Sequence, residues 1–304
     1  MNRDNKLYMN GNVTQQGSHM IMTNVYKPTR KKYINIDSRF HDGFQSECET
    51  KSGLASFTYT LPNIVFDVKS ISVRVAEIPN CLYNFSQHNQ NTFFTVNGVL
   101  RTIADGFYDA DGLIAALNNE CRHDNLTFSL DDISKQITID NTDTDTDSGA
   151  ETIICWGVDS KGNDDRYFLQ SKLGWALGFR NVETVVPSSN AYLSESILDL
   201  VPFKYMFLVV DDFLKCNPGS FTSPMFDSHM NKSVLARLST VPNTFAFHSP
   251  MVFSIESGTL VSDKREYIGK SNLQRMKLEL VNEYGKVIAL KDMPVSFCLE
   301  VEYE

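Results

Sequence analysis

Short segments of the chain alternate apolar and polar residues from position 33 onward, which is the period-2 pattern of strands with one buried face. Two of these segments are expected to end at Pro62 and Pro79, since proline cannot donate to a strand ladder. Residues 205–210 are apolar without interruption and predict a strand buried on both faces. The alternating segments are residues 33–36, 57–61, 71–75, 126–130, 136–140, 234–238, 251–255 and 297–303.

Turn residues join several of these segments into hairpins. Asn97-Gly98, within residues 91–100, is a dipeptide typical of two-residue hairpin turns. Residues 276–290 predict another hairpin, which turns at Gly285. Strands joined in this way are antiparallel.

Helical patterns are few. Residues 109–121 predict an amphipathic helix with Asp109 as its N-cap, and residues 171–179 predict one short helix that two glycines weaken. There is no repeat of 20–50 residues and no alternation of strands with helices. The pattern therefore predicts an all-β protein, a single antiparallel jelly-roll β-sandwich of about eight main strands, with long loops and one or two short helices.

The chain of 304 residues is expected to contain one domain and one arm. Residues 1–30 are polar and lack periodicity, which predicts an extended or flexible N-terminal arm. Residues 31–304 are assigned to the jelly roll, with a loop insertion around residues 141–196.

Charge separates the arm from the body. The net charge of −9 combines +5 over residues 1–32 with −14 over the rest, so the two parts are expected to meet different partners. The acidic body is a poor candidate for specific nucleic-acid recognition. The basic arm is expected to contact an internal membrane, the genome or acidic surfaces of neighbouring subunits. The anchor candidates are Lys27, Arg30, Lys31, Lys32 and Arg39.

Asp37 and Arg39 follow the first predicted strand. Their spacing favours a local or inter-subunit ion pair over chemistry, and a surface pair of this kind contributes at most about 1 kcal/mol. The first strand is expected to start at Tyr33, and the chain to turn at Ser38.

The six cysteines are scattered without a CxxC pair, which favours reduced thiols in a protein made in the cytoplasm.

No apolar segment resembles a secretion signal or a membrane span, so we expect a soluble, non-secreted protein. Residues 17–20 (GSHM) look like the remnant of an expression vector, but no tag precedes them and we treat them as native.

Candidate chemistry is weak. Asp143, Asp145 and Asp147 resemble the start of a calcium loop, but Ser148 and Ile154 stand where that loop needs glycine and glutamate. A solvated acidic loop is the better interpretation, and no other metal site is expected.

Neither a catalytic site nor a cofactor is indicated. Asp211 and Asp212 are consecutive at a strand end and point to opposite faces, so a turn-forming, solvated role is favoured over acid–base catalysis. The histidines have no metal-ligand spacing, and there is no nucleophile elbow or glycine-rich phosphate loop. We predict that the protein is not an enzyme.

Residues 173–180 (LGWALGFR) allow two interpretations. Trp175 and Phe179 are able to stack on a sugar, but an aromatic residue between small residues more often packs a loop onto a sheet. We favour a structural motif of Trp175, Phe179 and Arg180.

Seven segments in order, covering nearly the whole chain from residue 31, resemble the single jelly-roll penton and minor capsid proteins of nucleocytoplasmic large DNA viruses and their virophages. The segments are YINIDSR at 33–39, FTYTLP at 57–62, EIPN with YNFS at 77–86, LGWALGFR at 173–180, LVVDDF at 208–213, NLQR at 272–275 and NEYGKV at 282–287.

The resemblance implies a structural protein of the virion, made in the host cytoplasm. It implies homopentamers at the icosahedral vertices, in contact with the major capsid protein and other minor capsid proteins. One alternative is a minor capsid protein away from the vertex. Another is a glycan- or receptor-binding jelly-roll module, which predicts exposed loop aromatics at Tyr83, Phe85, Trp175 and Tyr192.

Overall fold

The computed structural model describes residues 28–43, 53–142, 151–214, 221–225, 228–230, 232–240 and 246–304. Within them it has two α-helices, α1 (Ala110–Glu120) and α2 (Leu173–Ala176), and 3-10 turns at Ser38–Phe40 and Leu169–Ser171. The strands are β1 Arg30–Asp37, β2 Ser56–Pro79, β3 Phe93–Val96, β4 Val99–Thr102, β5 Leu126–Leu130, β6 Gln136–Asn141, β7 Glu151–Cys155, β8 Glu183–Pro187, β9 Ala191–Ile197, β10 Tyr205–Asp211, β11 Pro224–Met225, β12 Ser228–His229, β13 Val234–Ser239, β14 Pro250–Ser254, β15 Leu260–Ser262, β16 Arg265–Asn282 and β17 Ser296–Tyr303.

The main strands pair in the order of a jelly roll. One half is β1-β17-β2-β14 and the other is β2-β16-β10-β13, with β15 added beside β13, and every pair is antiparallel. Strand β2 belongs to both halves because its first part pairs with β16 and its last part with β17 and β14. The prediction of an all-β antiparallel jelly roll is confirmed.

Strand β2 is longer than the sequence predicts. The alternating segments around positions 57–61 and 71–75 are one strand of 24 residues, so the expected end at Pro62 is wrong. Pro62 is exposed, and it lies where the pairing with β16 shifts between Thr60 and Val65. The proline nitrogen cannot donate a hydrogen bond, but regular pairing with β16 is already interrupted at this position, so the strand continues through it.

The residues between β2 and β10 form a unit with its own core. Its strands make two small sheets, β4-β3-β7-β8 and β5-β6-β9, and α1 packs beside β5. The second core draws on buried residues from Phe85 to Val186, whereas the jelly-roll core draws on residues before and after this range. The insertion expected around residues 141–196 lies inside this unit.

The inserted unit packs against the loops at one end of the jelly roll. Phe107 stacks on Phe247, which lies between β13 and β14, with ring centroids 4.5 Å apart. His88 hydrogen-bonds the carbonyl of Val287, which follows β16, at 2.8 Å. Contacts from two separate loops therefore hold the unit in place.

Other local predictions have mixed outcomes. The hairpin at Asn97-Gly98 and the helix capped by Asp109 are confirmed, with the Asp109 carboxylate accepting from Gly112 N at 2.8 Å. Residues 276–290 turn at Gly285, but the second arm is irregular after the turn. The helix expected over residues 171–179 covers four residues.

Among the described residues, no helix combines the length and the apolar character needed to cross a membrane.

Candidate assembly surface

Strand β1 is an edge of the jelly roll. It pairs with β17 along all eight residues, and no strand in the described part of the chain pairs with its other edge. Ile34 and Ile36 point into the core, so the side chains between them point outward. Tyr33 is 60% exposed on that outer side, and Lys32 is exposed as well. The strand therefore presents a free edge with basic and aromatic side chains.

The basic anchor candidates divide between a strand and the preceding chain. Arg30, Lys31 and Lys32 belong to β1, which starts three residues earlier than Tyr33, the start expected from the sequence. Lys31 pairs with Glu300 at 2.8 Å and reaches Glu302 at 3.8 Å. Lys27 lies outside the described residues.

Glu300 is a buried carboxylate between two cations. Its side chain is 1% exposed, and Arg74 on β2 donates to Oε2 at 2.6 Å from the side opposite Lys31. Burial opposes the charged form, but the hydrogen bonds from Lys31 and Arg74 outweigh it and lower the pKa of Glu300. Charged groups thus join β1, β17 and β2 across the outer face.

The same network continues to the start of β16. Glu302 accepts from Lys264 at 2.5 Å and from the hydroxyl of Ser70 at 3.0 Å. The hydrogen bond from Lys264 is the main cause of the lowered pKa of Glu302. The face beside the edge strand is therefore ordered by paired charges.

Asp37 and Arg39 form an ion pair within the chain. Arg39 Nη2 lies 2.6 Å from Asp37 Oδ2, and the Arg39 backbone N–H donates to Oδ1 at 2.9 Å. The hydrogen bond from the Arg39 side chain lowers the pKa of Asp37. Phe40, the next residue, is 70% exposed and lies under the Arg39 guanidinium at 5.6 Å.

The residues of the LGWALGFR segment serve packing in the inserted unit. Phe179 is buried and stacks on Trp156, with ring centroids 5.0 Å apart and planes 8° apart. Trp175 is half-buried beneath the Arg180 guanidinium, whose carbon lies 4.2 Å from the ring centroid. Arg180 also donates to the Trp175 carbonyl at 2.8 Å.

The two glycines of this segment are required by close contacts. A side-chain carbon on Gly174 would lie 2.4 Å from Cγ of Trp156. Gly178 has a φ of +98°, and a side-chain carbon there would lie 2.1 Å from the Ser196 carbonyl oxygen. Glycine is the residue that meets both conditions.

Three important side chains were not singled out from the sequence. Trp156 stands at the centre of the second core and donates to Thr184 Oγ1 at 2.9 Å. Arg265 and Glu300 are buried ions whose partners lie on other strands. A tryptophan after an alternating segment is a usable signal for Trp156, but no local pattern marks a buried ion pair.

Asp212 differs from its expected solvated role. Asp211 is exposed, but Asp212 is buried and accepts from Arg265 at 3.2 Å and from the Tyr267 hydroxyl at 2.5 Å. Arg265 also donates to the carbonyl groups of Val210 and Ser233. This ion pair connects β16 with the ends of β10 and β13.

The calcium candidates Asp143, Asp145 and Asp147 lie outside the described residues, as do residues 17–20. In the part of the chain that the structure describes, no group of three or more His, Cys, Asp or Glu side chains is arranged to hold a metal ion.

The aromatic residues that a glycan-binding module would use are engaged within the protein. Phe85 is buried, and Tyr83, Trp175 and Tyr192 are partly buried. The Lys291 ammonium lies 3.2 Å from the Tyr83 ring centroid, and the Tyr192 hydroxyl donates to Glu195 at 2.6 Å.

No protein-family model matches the chain, and no curated protein does either. Among solved structures, the chain is similar to the selenomethionine-labelled mavirus penton protein, with a TM-score of 0.44 and 10% sequence identity. The match covers 90% of this chain and 99% of that one.

Proposed function

We propose that this chain is a structural capsid protein that forms homopentamers at the vertices of an icosahedral virion. The observation that carries the proposal is a jelly roll whose first strand pairs along one edge alone among the described residues and exposes Arg30, Lys32 and Tyr33. The protein acts by self-association and by contact with the major capsid protein, without catalysis or a cofactor.

The segments that carry the sequence resemblance support this proposal by their positions. Five of the seven lie on jelly-roll strands or at their ends, on β1, β2, β10 and β16, and the sixth, residues 77–86, runs from the end of β2 into the inserted unit. The seventh, residues 173–180, contains the two glycines that close packing requires. The segments that resemble the capsid proteins are therefore segments with structural roles in this fold.

The partner proposed for β1 is a second copy of this chain. A ring of five repeats one heterologous contact, in which two different surfaces meet. Arg30 and Lys32 are exposed at the start of β1, on the face opposite Tyr33, and neither forms an ion pair among the described residues. The rest of the chain is strongly acidic, so a basic edge and an acidic neighbouring surface are complementary.

A role as a minor capsid protein away from the vertex is the alternative within the same class. It shares the fold and the virion location and differs in stoichiometry, so mass measurements separate the two. The basic residues before β1 are proposed to contact an internal membrane or the genome.

The edge contact is tested by Tyr33→Ser and Lys32→Glu, with Ile268→Ser as the matched control. Ile268 is also an exposed apolar residue, but it lies on β16. A tyrosine at the centre of an interface contributes about 2 kcal/mol or more, so Tyr33→Ser is expected to weaken self-association roughly 30-fold. Sedimentation velocity measures the change. If Tyr33→Ser and Ile268→Ser self-associate equally strongly, β1 is not part of the interface.

A further inference from the structure

Two lysine side chains from different parts of the fold line one cavity. The cavity has a volume of about 240 Å³ and lies between the inserted unit and the turn that follows β16. Lys172 comes from the inserted unit, immediately before α2, and Lys286 comes from the turn. Ser171, Asn89, Tyr284 and Asp165 also line it.

Lys172 is buried and has a partner. Its side chain is 2% exposed, and Nζ donates to Asp165 Oδ2 at 2.5 Å and to the Val158 carbonyl at 3.1 Å. Its positive charge is therefore balanced by Asp165, the carboxylate among the described residues that line this cavity.

The positive charge of Lys286 is not balanced by an ion pair among the described residues. Nζ donates to the backbone carbonyl of His88, and among the described residues no carboxylate forms an ion pair with it. Burial, and then the charge of Lys172, lower the pKa of Lys286. The described residues that line the cavity thus include two lysines and one aspartate, which leaves a surplus of positive charge.

A surplus of positive charge beside hydroxyl and amide groups suits an anion with several oxygen acceptors. Lysine binds phosphate as a point charge, and partial burial strengthens that attraction. We propose that this cavity is a binding site for a small phosphate-class oxyanion, held by Lys286 and Lys172. The anion is free phosphate or the phosphate group of a small phosphomonoester.

The bound anion would connect two parts of the structure. Lys172 belongs to the inserted unit and Lys286 to the jelly roll, so an ion that contacts both adds an electrostatic link between them. A ligand that binds only the folded state raises the free energy of unfolding. Phosphate is therefore expected to raise the melting temperature relative to chloride at equal ionic strength.

Isothermal titration calorimetry of the full chain with inorganic phosphate, and in a second arm with glycerol 3-phosphate, tests the site. Lys286→Met is expected to weaken binding roughly ten- to a hundredfold, the worth of one charge-assisted hydrogen bond. Lys277→Met is the matched control, because Lys277 pairs with Glu279 at 2.8 Å and does not line the cavity. Stronger binding of one ligand identifies the source of the phosphate group.

A thermal measurement distinguishes binding from a merely structural role. Without phosphate, Lys286→Met is expected to melt no lower than the parent protein, because it removes a half-buried cation next to Lys172. With phosphate, its melting temperature is expected to rise less than that of the parent and of Lys277→Met, because phosphate also stabilises folded proteins without binding a site. Absence of phosphate binding to the parent protein, or equal binding by Lys286→Met, would overturn the proposal. The oligomeric state of the protein does not enter this test.

Discussion

The Lys31 ammonium lies 2.8 Å from a carboxylate oxygen of Glu300, so the first strand of the jelly roll is tied to the last by a charged contact as well as by backbone pairing. Arg74 holds the same carboxylate from β2. The edge strand is therefore ordered. Lys31 forms its ion pair within the chain, whereas Lys32 and Tyr33 are exposed and can contact a neighbouring subunit.

Glu300 is expected to make stability depend on pH. Because its pKa is lowered in the folded protein, the carboxylate contributes stability above its usual value of 4.5 and loses that contribution as the pH falls through the lower folded value. Glu300→Gln is expected to be less stable by roughly 1.5–3 kcal/mol at neutral pH and to show a smaller loss below pH 4.5. Urea unfolding across pH measures both.

Glu266→Gln is the control for this experiment. Glu266 is exposed on β16 and forms no ion pair among the described residues. Its replacement should leave the pH profile unchanged. A Glu300→Gln profile parallel to that of the parent protein would show that Glu300 is not responsible.

The buried pair of Arg265 and Asp212 is expected to behave as a unit. Arg265→Met leaves a buried carboxylate without its cation and should cost about 3–5 kcal/mol. Adding Asp212→Asn removes that isolated charge and should restore part of the loss. Chemical denaturation of the two single variants and the double variant measures the coupling. If the losses of stability in the two single variants simply add in the double variant, the two residues are not coupled.

Gly178 is expected to tolerate no side chain. Gly178→Ala and Gly269→Ala both place alanine at positive φ, but only at Gly178 does the new carbon meet a backbone oxygen, at 2.1 Å. Gly269→Ala should cost about 1 kcal/mol, and Gly178→Ala at least 1–3 kcal/mol more. Thermal unfolding of both variants checks this. Similar losses would mean that strand β9 around Ser196 shifts without cost.

Removal of residues 1–27 is expected to leave assembly intact. Strand β1 begins at Arg30, and the removed part contains Arg3, Lys6 and Lys27, three of the six basic residues of residues 1–32. Light scattering should report the same number of subunits before and after the deletion, while binding to anionic vesicles weakens with the lost charge. Fewer subunits per particle after deletion would place part of the interface before β1.

Alternation identified most strands of the jelly roll because each buries one face, as in Ile34 and Ile36 on β1. It also found the hairpin at Asn97-Gly98, where the turn has strong local preferences. These features depend on neighbours in sequence, so a single sequence contains the needed information.

Features that depend on distant neighbours were missed. Pro62 reads as a strand end, yet the partner strand shifts register there and the strand continues. Arg265 lies in a polar stretch typical of a surface turn, and its partner Asp212 is 53 residues away. Glu300 reads as an outward residue of an alternating strand, and side chains from β1 and β2 bury it. Only the folded arrangement creates these sites.

Native mass spectrometry of the purified chain tests the central claim most directly. The account predicts a dominant species with five times the 34.4 kDa mass of one chain, which dissociates more readily when Tyr33 is replaced by serine. A single species with the mass of one chain at every concentration, or a closed oligomer of another number, would contradict it.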